Sequence, residues 1–153
     1  MASLSYDVIF SRFLAEVEDT ILQSMEKENA YTIMTEYLHK TMASSYISDL
    51  FSTYTLDDEI LTLSYTLALI TDDAKDKEFV ATAIAKWMAS EWTLRQKNSV
   101  VNTKQMFADK ELKFFSQSAH TSELRNLSED AYCSARKFIM DRNMSHNSYL
   151  GGA

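Results

Sequence analysis

The residues whose types and spacing could carry out chemistry lie in the segment 110–124, KELKFFSQSAHTSEL. Ser116 and His120 are four positions apart, so on a helix the imidazole could act as a base toward the hydroxyl, with Glu123 as an orienting acid. Such a site also needs a sharp turn that presents the serine, and the only two glycines of the chain stand near its C-terminus. The sequence therefore disfavours catalysis. An activity lost in His120→Ala or Ser116→Ala variants that still fold would restore this hypothesis.

Metal and cofactor ligands are also sparse. The three histidines, His39, His120 and His146, are far apart, and Cys133 is the only cysteine. They form no helical pair of ligands, so no transition-metal site is predicted. Without a glycine-rich loop the chain also has no segment that could surround a phosphate group. We expect no cofactor.

Four acidic residues cluster at Asp72, Asp73, Asp76 and Glu78. A calcium-binding loop of this kind would need an internal glycine and a distal bidentate glutamate, and both are missing. The segment that begins at Thr71 instead has the side chains that cap a helix, with further acids where they meet its positive end. The cluster is therefore predicted to start a helix.

Length and composition indicate one compact domain. The chain has 153 residues, of which 46% are hydrophobic, and no apolar run approaches the roughly 20 residues of a membrane-spanning helix. No signal peptide is recognisable, so we expect a protein made in the cytosol without a membrane partner. Residues 1–94 contain 16 Asp/Glu and 6 Lys/Arg (net −10), and residues 95–153 contain 6 and 9 (net +3). An acidic body disfavours sequence-specific binding of nucleic acid.

Apolar residues at steps of three and four predict four long helices. They are expected at about 4–25, 30–47 and 71–97, followed by a last helix that ends near Asn143. The third carries Trp87 and Trp92 on a broad apolar stripe, which we assign to packing. A shorter helical piece is expected at 103–108.

Between the second and third helices the period changes to two. Leu61, Leu63, Tyr65, Leu67 and Leu69 alternate with small or hydroxyl residues, which predicts a strand, and 51–56 is its expected hairpin partner. The predicted fold class is therefore mainly α: a helical bundle of about four long helices with a short β-hairpin or extended strand inserted between the second and third.

The opening segment is best explained as a joint between a loop and the last helix. Ser116 or Ser118 would be the N-cap, with its oxygen accepting a bond from an unpaired N–H group. Phe114 and Phe115 would anchor the incoming chain to the core.

The order of these signals resembles the head–tail connector, or neck adaptor, proteins of tailed bacteriophages. The similar segments are LITDDAKDKEFVATAIAKWMASEW, VVNTKQMFADKELKFFSQSAHTSEL and MDRNMSHNSYLGG. The resemblance covers about half of the chain well and the rest weakly. The positions that match the family pattern are Glu78, Trp87, Met88, Asp109 or Lys110, Lys113, Phe115, Ser116, Ala119 and His120. The chain departs from the pattern in lacking a proline after the tryptophan helix and in the regular alternation of 61–69.

The resemblance implies a non-enzymatic virion protein of the neck, with residues 1–142 as a single helical connector domain and 143–153 as a polar tail. It would form a ring of about twelve copies beneath the portal protein, contact the next neck or tail-completion protein, and let double-stranded DNA pass without specific binding. Lys113, Phe115, Ser116 and His120 would form the helix joint. The tail residues expected to bind the portal are Asn143, Met144, His146, Tyr149 and Leu150.

Because an isolated hairpin is marginally stable, the strand with Leu61, Leu63, Tyr65 and Leu67 is expected to pair with a neighbouring subunit. The main alternative to a neck protein is a small helical interaction module, an inhibitor or regulator that binds a host protein through its acidic face.

Overall fold

The computed structural model describes residues 1–17, 20–97 and 112–146. Over these ranges the chain is mainly α, as predicted, with six helices and a small antiparallel sheet. Contacts divide it into two compact units, Met1–Met88 and Ala89–Ala153, whose boundary lies inside the fifth helix. In chain order the elements are β1 (Ala2–Ser5), α1 (Tyr6–Val17), α2 (Thr20–Ser24), α3 (Lys27–Ala43), α4 (Ser45–Ser48), β2 (Phe51–Asp57), β3 (Thr62–Leu67), α5 (Asp73–Lys97) and α6 (Leu112–Ser145).

The predicted strand and its hairpin partner are confirmed. β3 pairs antiparallel with β2, with Phe51 opposite Leu67 and Leu56 opposite Leu63. Along β3 the apolar side chains are buried and the hydroxyl side chains between them are partly exposed. This alternation is the signature of a strand with one face on a core.

The first helix does not begin at Leu4 as predicted. Residues Ala2–Ser5 form β1, which pairs antiparallel with β3, so that Leu4 lies opposite Leu63. α1 then begins at Tyr6, where the Asp7 N–H donates to the Ser5 hydroxyl oxygen at 3.3 Å.

The central position of β3 contradicts the predicted pairing with a neighbouring subunit. The sheet order is β1-β3-β2, and both edges of β3 are paired within the chain over Thr62–Tyr65. The predicted inter-subunit strand at Leu61, Leu63, Tyr65 and Leu67 is therefore wrong. A hairpin alone does need support, but the chain's own N-terminal residues supply the third strand.

The prediction of a bundle of four long helices with an inserted hairpin is also wrong in its details. The first predicted helix is replaced by β1, α1 and α2, and the second ends at Ala43 because Ser44 takes an extended conformation (φ −69°, ψ 127°). α4 follows as a separate turn of helix. The predicted third helix is confirmed as α5, and the Asp72 carboxylate accepts bonds from the Ala74 and Lys75 N–H groups at 3.0 and 3.3 Å.

The core of the first unit is built from α1, α3, α5 and the inner face of the sheet. Trp87 stacks on Tyr46 with ring centroids 5.1 Å apart, which agrees with a packing role for this tryptophan. The predicted apolar stripe of α5 is buried throughout, at Phe79, Val80, Ala83, Ile84, Trp87, Met88 and Trp92.

The second unit contains the C-terminal end of α5 and the 34-residue helix α6. Ala135 and Ile139 are buried, whereas Leu127 is 56% exposed. Exposed side chains on α6 pair locally: Arg125 contacts Glu129 at 3.0 Å, and the Arg136 guanidinium lies 5.5 Å from the Tyr132 ring centroid. Within the described ranges no helix is both long and apolar enough to cross a membrane.

Leu61 closes the hairpin loop in the left-handed region, with φ 53°. This conformation costs a non-glycine residue about 1–2 kcal/mol. Asp57 supports the loop by accepting bonds from the Glu59 and Ile60 N–H groups, and the Leu61 carbonyl accepts a bond from the Tyr6 N–H at 2.9 Å. The loop is thereby fixed to the start of α1.

Because β3 is the central strand of the sheet, we expect Leu63→Ala to lower the stability of the fold strongly. Leu63 is fully buried, so the substitution should lower the free energy of unfolding by about 2–4 kcal/mol through lost burial and a cavity. Urea unfolding followed by far-ultraviolet circular dichroism measures this. Ile60→Ala is the matched control, because Ile60 is 69% exposed and its loss should cost less than about 0.5 kcal/mol. Equal losses in the two variants would contradict the central placement of β3.

Candidate functional site

An open groove of about 890 Å³ runs along α3 in the first unit. α3 contributes one wall through residues spaced by three and four positions, which places them on one helix face. The opposite wall comes from the start of α1 and from the β2–β3 loop. The lining residues are Asp7, Lys27, Glu28, Tyr31, Thr32, Thr35, Glu36, His39, Asp58 and Leu61.

The two faces of α3 explain why the groove forms at this helix. Met34, Leu38 and Met42 are buried in the core, and the face that lines the groove carries polar residues. The helix is thus amphipathic, and its polar face is the one left accessible beside the loop.

Asp58 is the centre of a hydrogen-bond network at one end of the groove. Its carboxylate accepts a bond from the Tyr6 hydroxyl at 2.8 Å, and His39 Nε2 lies 3.0 Å from both of its oxygens. The hydrogen bond from Tyr6, followed by that from His39, lowers the pKa of Asp58 below its ordinary value, although desolvation opposes them. The carboxylate therefore stays ionised and holds the His39 ring in place.

The two tyrosines of the site are held neutral. Burial raises the pKa of Tyr31 to about 12, with further contributions from the charge of Asp7 and from the bond that the Tyr31 hydroxyl donates to it at 3.2 Å. Burial, followed by the bond to Asp58, also raises the pKa of Tyr6. The Tyr31 ring packs edge-on against Phe10, with centroids 4.8 Å apart. Both hydroxyls are therefore fixed hydrogen-bond donors.

The sequence-predicted joint is not a helix start. Lys113, Phe115, Ser116 and His120 all lie within α6, which is already helical at Leu112. Ser116 and Ser118 therefore lie within the helix and not at its first residue, and the prediction that one of them is the N-cap is wrong. The short helix expected at 103–108 lies outside the described residues.

The predicted portal-binding residues fall at the end of α6 and beyond it. Asn143 and Met144 are helical, so the helix continues past the predicted boundary at 142. His146 follows in a turn, and its backbone N–H donates a hydrogen bond to the Arg142 carbonyl at 3.2 Å. Tyr149 and Leu150 lie outside the described residues.

The acidic residues at the start of α5 each make a different structural contact. Asp72 caps the helix, and buried Asp76 accepts bonds from the Thr71 N–H and hydroxyl at 2.8 and 2.6 Å. Glu78 pairs with Arg12 at 2.7 Å. Across the described part of the chain no group of three or more His, Cys, Asp or Glu residues is arranged to hold a metal ion.

Comparisons with known proteins identify no family for this chain. The chain matches no protein-family model, no curated protein and no solved structure. Inference about its function therefore depends on its own residues and their geometry.

The network predicts that Tyr6→Phe raises the pKa of Asp58 toward its ordinary value. The buried ring is kept and only the donated hydrogen bond is lost. Because the folded-state pKa of Asp58 is depressed, its stabilising contribution is present above its unfolded pKa and is lost as pH falls through the folded value. The difference in unfolding free energy between the native chain and Tyr6→Phe should therefore shrink in acid.

Carboxyl carbon NMR during an acid titration measures this pKa directly. Tyr31→Phe is the control, because Tyr31 bonds to Asp7 and not to Asp58. An Asp58 pKa that is unchanged in Tyr6→Phe, or that moves equally in both variants, would refute the network.

Proposed function

We propose that this chain is a non-enzymatic structural protein of the bacteriophage neck. In this proposal it forms a ring of about twelve copies under the portal protein, contacts the next neck or tail-completion protein, and lets DNA pass from head to tail in the assembled virion. The resemblance of its segments 69–92, 100–124 and 140–152 to neck adaptors motivates the assignment.

The observation that best supports the proposal is the exposed apolar surface at the end of α6. Met140 and Met144, one helical turn apart, are 48% and 55% exposed. Methionines are flexible and polarizable, so exposed pairs of this kind suit a surface that adapts to a partner. Met144 is one of the residues that the resemblance assigns to portal binding, and Met140 lies one helical turn before it.

The charge distribution is compatible with a DNA conduit. Residues 1–88 contain 15 Asp/Glu and 6 Lys/Arg, a net charge of −9, and residues 89–153 contain 7 and 9, a net charge of +2, which together give −7. A polyanion slides past acidic surfaces without being retained, whereas clustered basic residues would hold its phosphates.

Electron microscopy of lysates from a phage whose copy of this gene is disrupted tests the proposal. DNA-filled or leaking heads beside complete but unattached tails are expected, and a complementing copy should restore joined virions. Normal virions in the disrupted lysate would contradict a role in the neck.

The groove along α3 favours one alternative, a helical interaction module that binds a host protein. Four of its lining residues are acidic and its wall is open to solvent, which suits a regulator that acts through its acidic face. Normal virions together with an altered host phenotype would support this function.

The proposed portal contact predicts that truncation after Asp141 abolishes binding to the portal protein of the same phage. The truncation removes Met144 and the remaining tail, whereas the buried residues among the described side chains of α6, Ser128, Ala135 and Ile139, are kept. Binding is measured by co-sedimentation of purified proteins.

Leu127→Ala in the full-length chain is the control, since Leu127 is exposed on α6 and the substitution leaves every tail residue in place, so portal binding should be unchanged. Circular dichroism should show unchanged helicity apart from the removed residues. Full portal binding by the chain truncated after Asp141 would eliminate the tail as the docking element.

A further inference from the structure

The hydroxyl groups along the α3 groove are already used as donors. Tyr31 donates to Asp7, Thr32 donates to the Glu28 carbonyl at 2.9 Å, and Thr35 donates to the Tyr31 carbonyl at 2.9 Å. These bonds leave the hydroxyl protons unavailable to a ligand. The hydroxyl oxygens can still accept.

The remaining polar groups of the groove are mostly acceptors with negative charge. Asp7, Glu28, Glu36 and Asp58 are acidic, and Lys27, the first residue of α3, is the one Lys or Arg among the lining residues that the structure describes. These four carboxylates and the one lysine give a formal charge of −4 + 1 = −3. A ligand that fits must therefore bring positive charge and hydrogen-bond donors.

The spacing of the acids sets the form of the ligand. Glu28 and Glu36 are eight residues apart on α3, which is about 12 Å along the helix axis. In an extended chain that rises roughly 3.3 Å per residue, side chains four positions apart are about 13 Å apart. The volume of about 890 Å³ lies in the range of clefts that hold a drug-sized ligand, so the groove can take a few residues of a peptide.

We propose that the α3 groove binds an extended basic segment of a partner protein, with Lys or Arg side chains four positions apart that pair with Glu28 and Glu36. The groove is apolar where the Tyr31 ring and Leu61 line it, so the stems of the basic side chains can pack there while their charged ends reach the carboxylates. This site is independent of the neck assignment.

The contacts of two arginines of α6 favour a separate protein over a second copy of this chain as the partner. Arg125 and Arg136 of the second unit already contact Glu129 and Tyr132. They also lie on a helix, where the rise per residue is less than half that of an extended chain.

The probe is a Ser/Gly-rich 11-residue peptide with Arg at positions 4 and 8, added to the isotopically labelled full chain. NMR shifts are expected at the amides of α3 between Glu28 and His39 and at the loop 57–61, with an affinity that weakens as salt rises. Two matched peptides carry Glu at positions 4 and 8, or Arg at positions 4 and 5. The first should not bind and the second should bind more weakly.

Variants of the groove provide the decisive comparison. Glu36→Gln should weaken binding about threefold and the double variant Glu28→Gln, Glu36→Gln about tenfold, as expected for exposed ion pairs. Asp49→Asn is the control, because Asp49 is exposed and does not line the groove. Its affinity should be unchanged, and circular dichroism should show that every variant is folded.

Three outcomes would overturn the proposal. The first is equal binding of the Arg and Glu peptides, or none at millimolar concentration. The second is an equal loss of affinity in Asp49→Asn and Glu36→Gln, which would indicate attraction to the overall negative charge. The third is that the groove amides shift with rising protein concentration in the absence of peptide, which would assign the groove to a second copy.

Discussion

The pairing of both edges of β3 is the constraint on which the first unit depends. β1 leads without a break into α1, so its alignment with β3 determines where that helix starts. The Tyr6 N–H then bonds to the Leu61 carbonyl, and the Tyr6 hydroxyl bonds to Asp58 in the same loop. The backbone of the sheet therefore fixes one wall of the groove. α3 forms the other wall, and the contact of His39 with Asp58 joins the two. A change in strand register would displace both walls relative to each other.

Local periodicity was enough to predict the long elements. The stripe of α5 and the alternation of β3 depend on contacts between near neighbours in the sequence, and both are present in the structure. β1 escaped prediction because a four-residue strand has too few positions to show a period, and Leu4 also fits the helical spacing of the residues that follow. Its partner strand lies about sixty residues away, so no local signal identifies it. The helix start at Ser116 was misplaced for a different reason: neither glycine nor proline interrupts the preceding residues, and helix formers continue upstream to Leu112.

The candidate site was less predictable than the fold. His39 and Asp58 are 19 residues apart and Tyr6 is 52 residues from Asp58, so only the folded sheet brings them together. The polar residues of α3 that line the groove are three and four positions apart, but a solvated helix surface has the same pattern. The structure adds the opposite wall, and that wall distinguishes a groove from an ordinary exposed face. Leu61 lies on this wall in a backbone conformation that suits glycine better.

The N-terminal strand also has a consequence for the order of events during synthesis. Ala2–Ser5 pair with residues 62–65, so residues 2–5 cannot reach their final place until the hairpin has left the ribosome. At about 5–20 residues per second, that delay is roughly 3–12 s. During this interval the residues that become β1 have no strand to join, and α1 lacks the anchor that fixes its first turn. Residues 2–5 are therefore made about sixty residues before their partner strand and settle only after it.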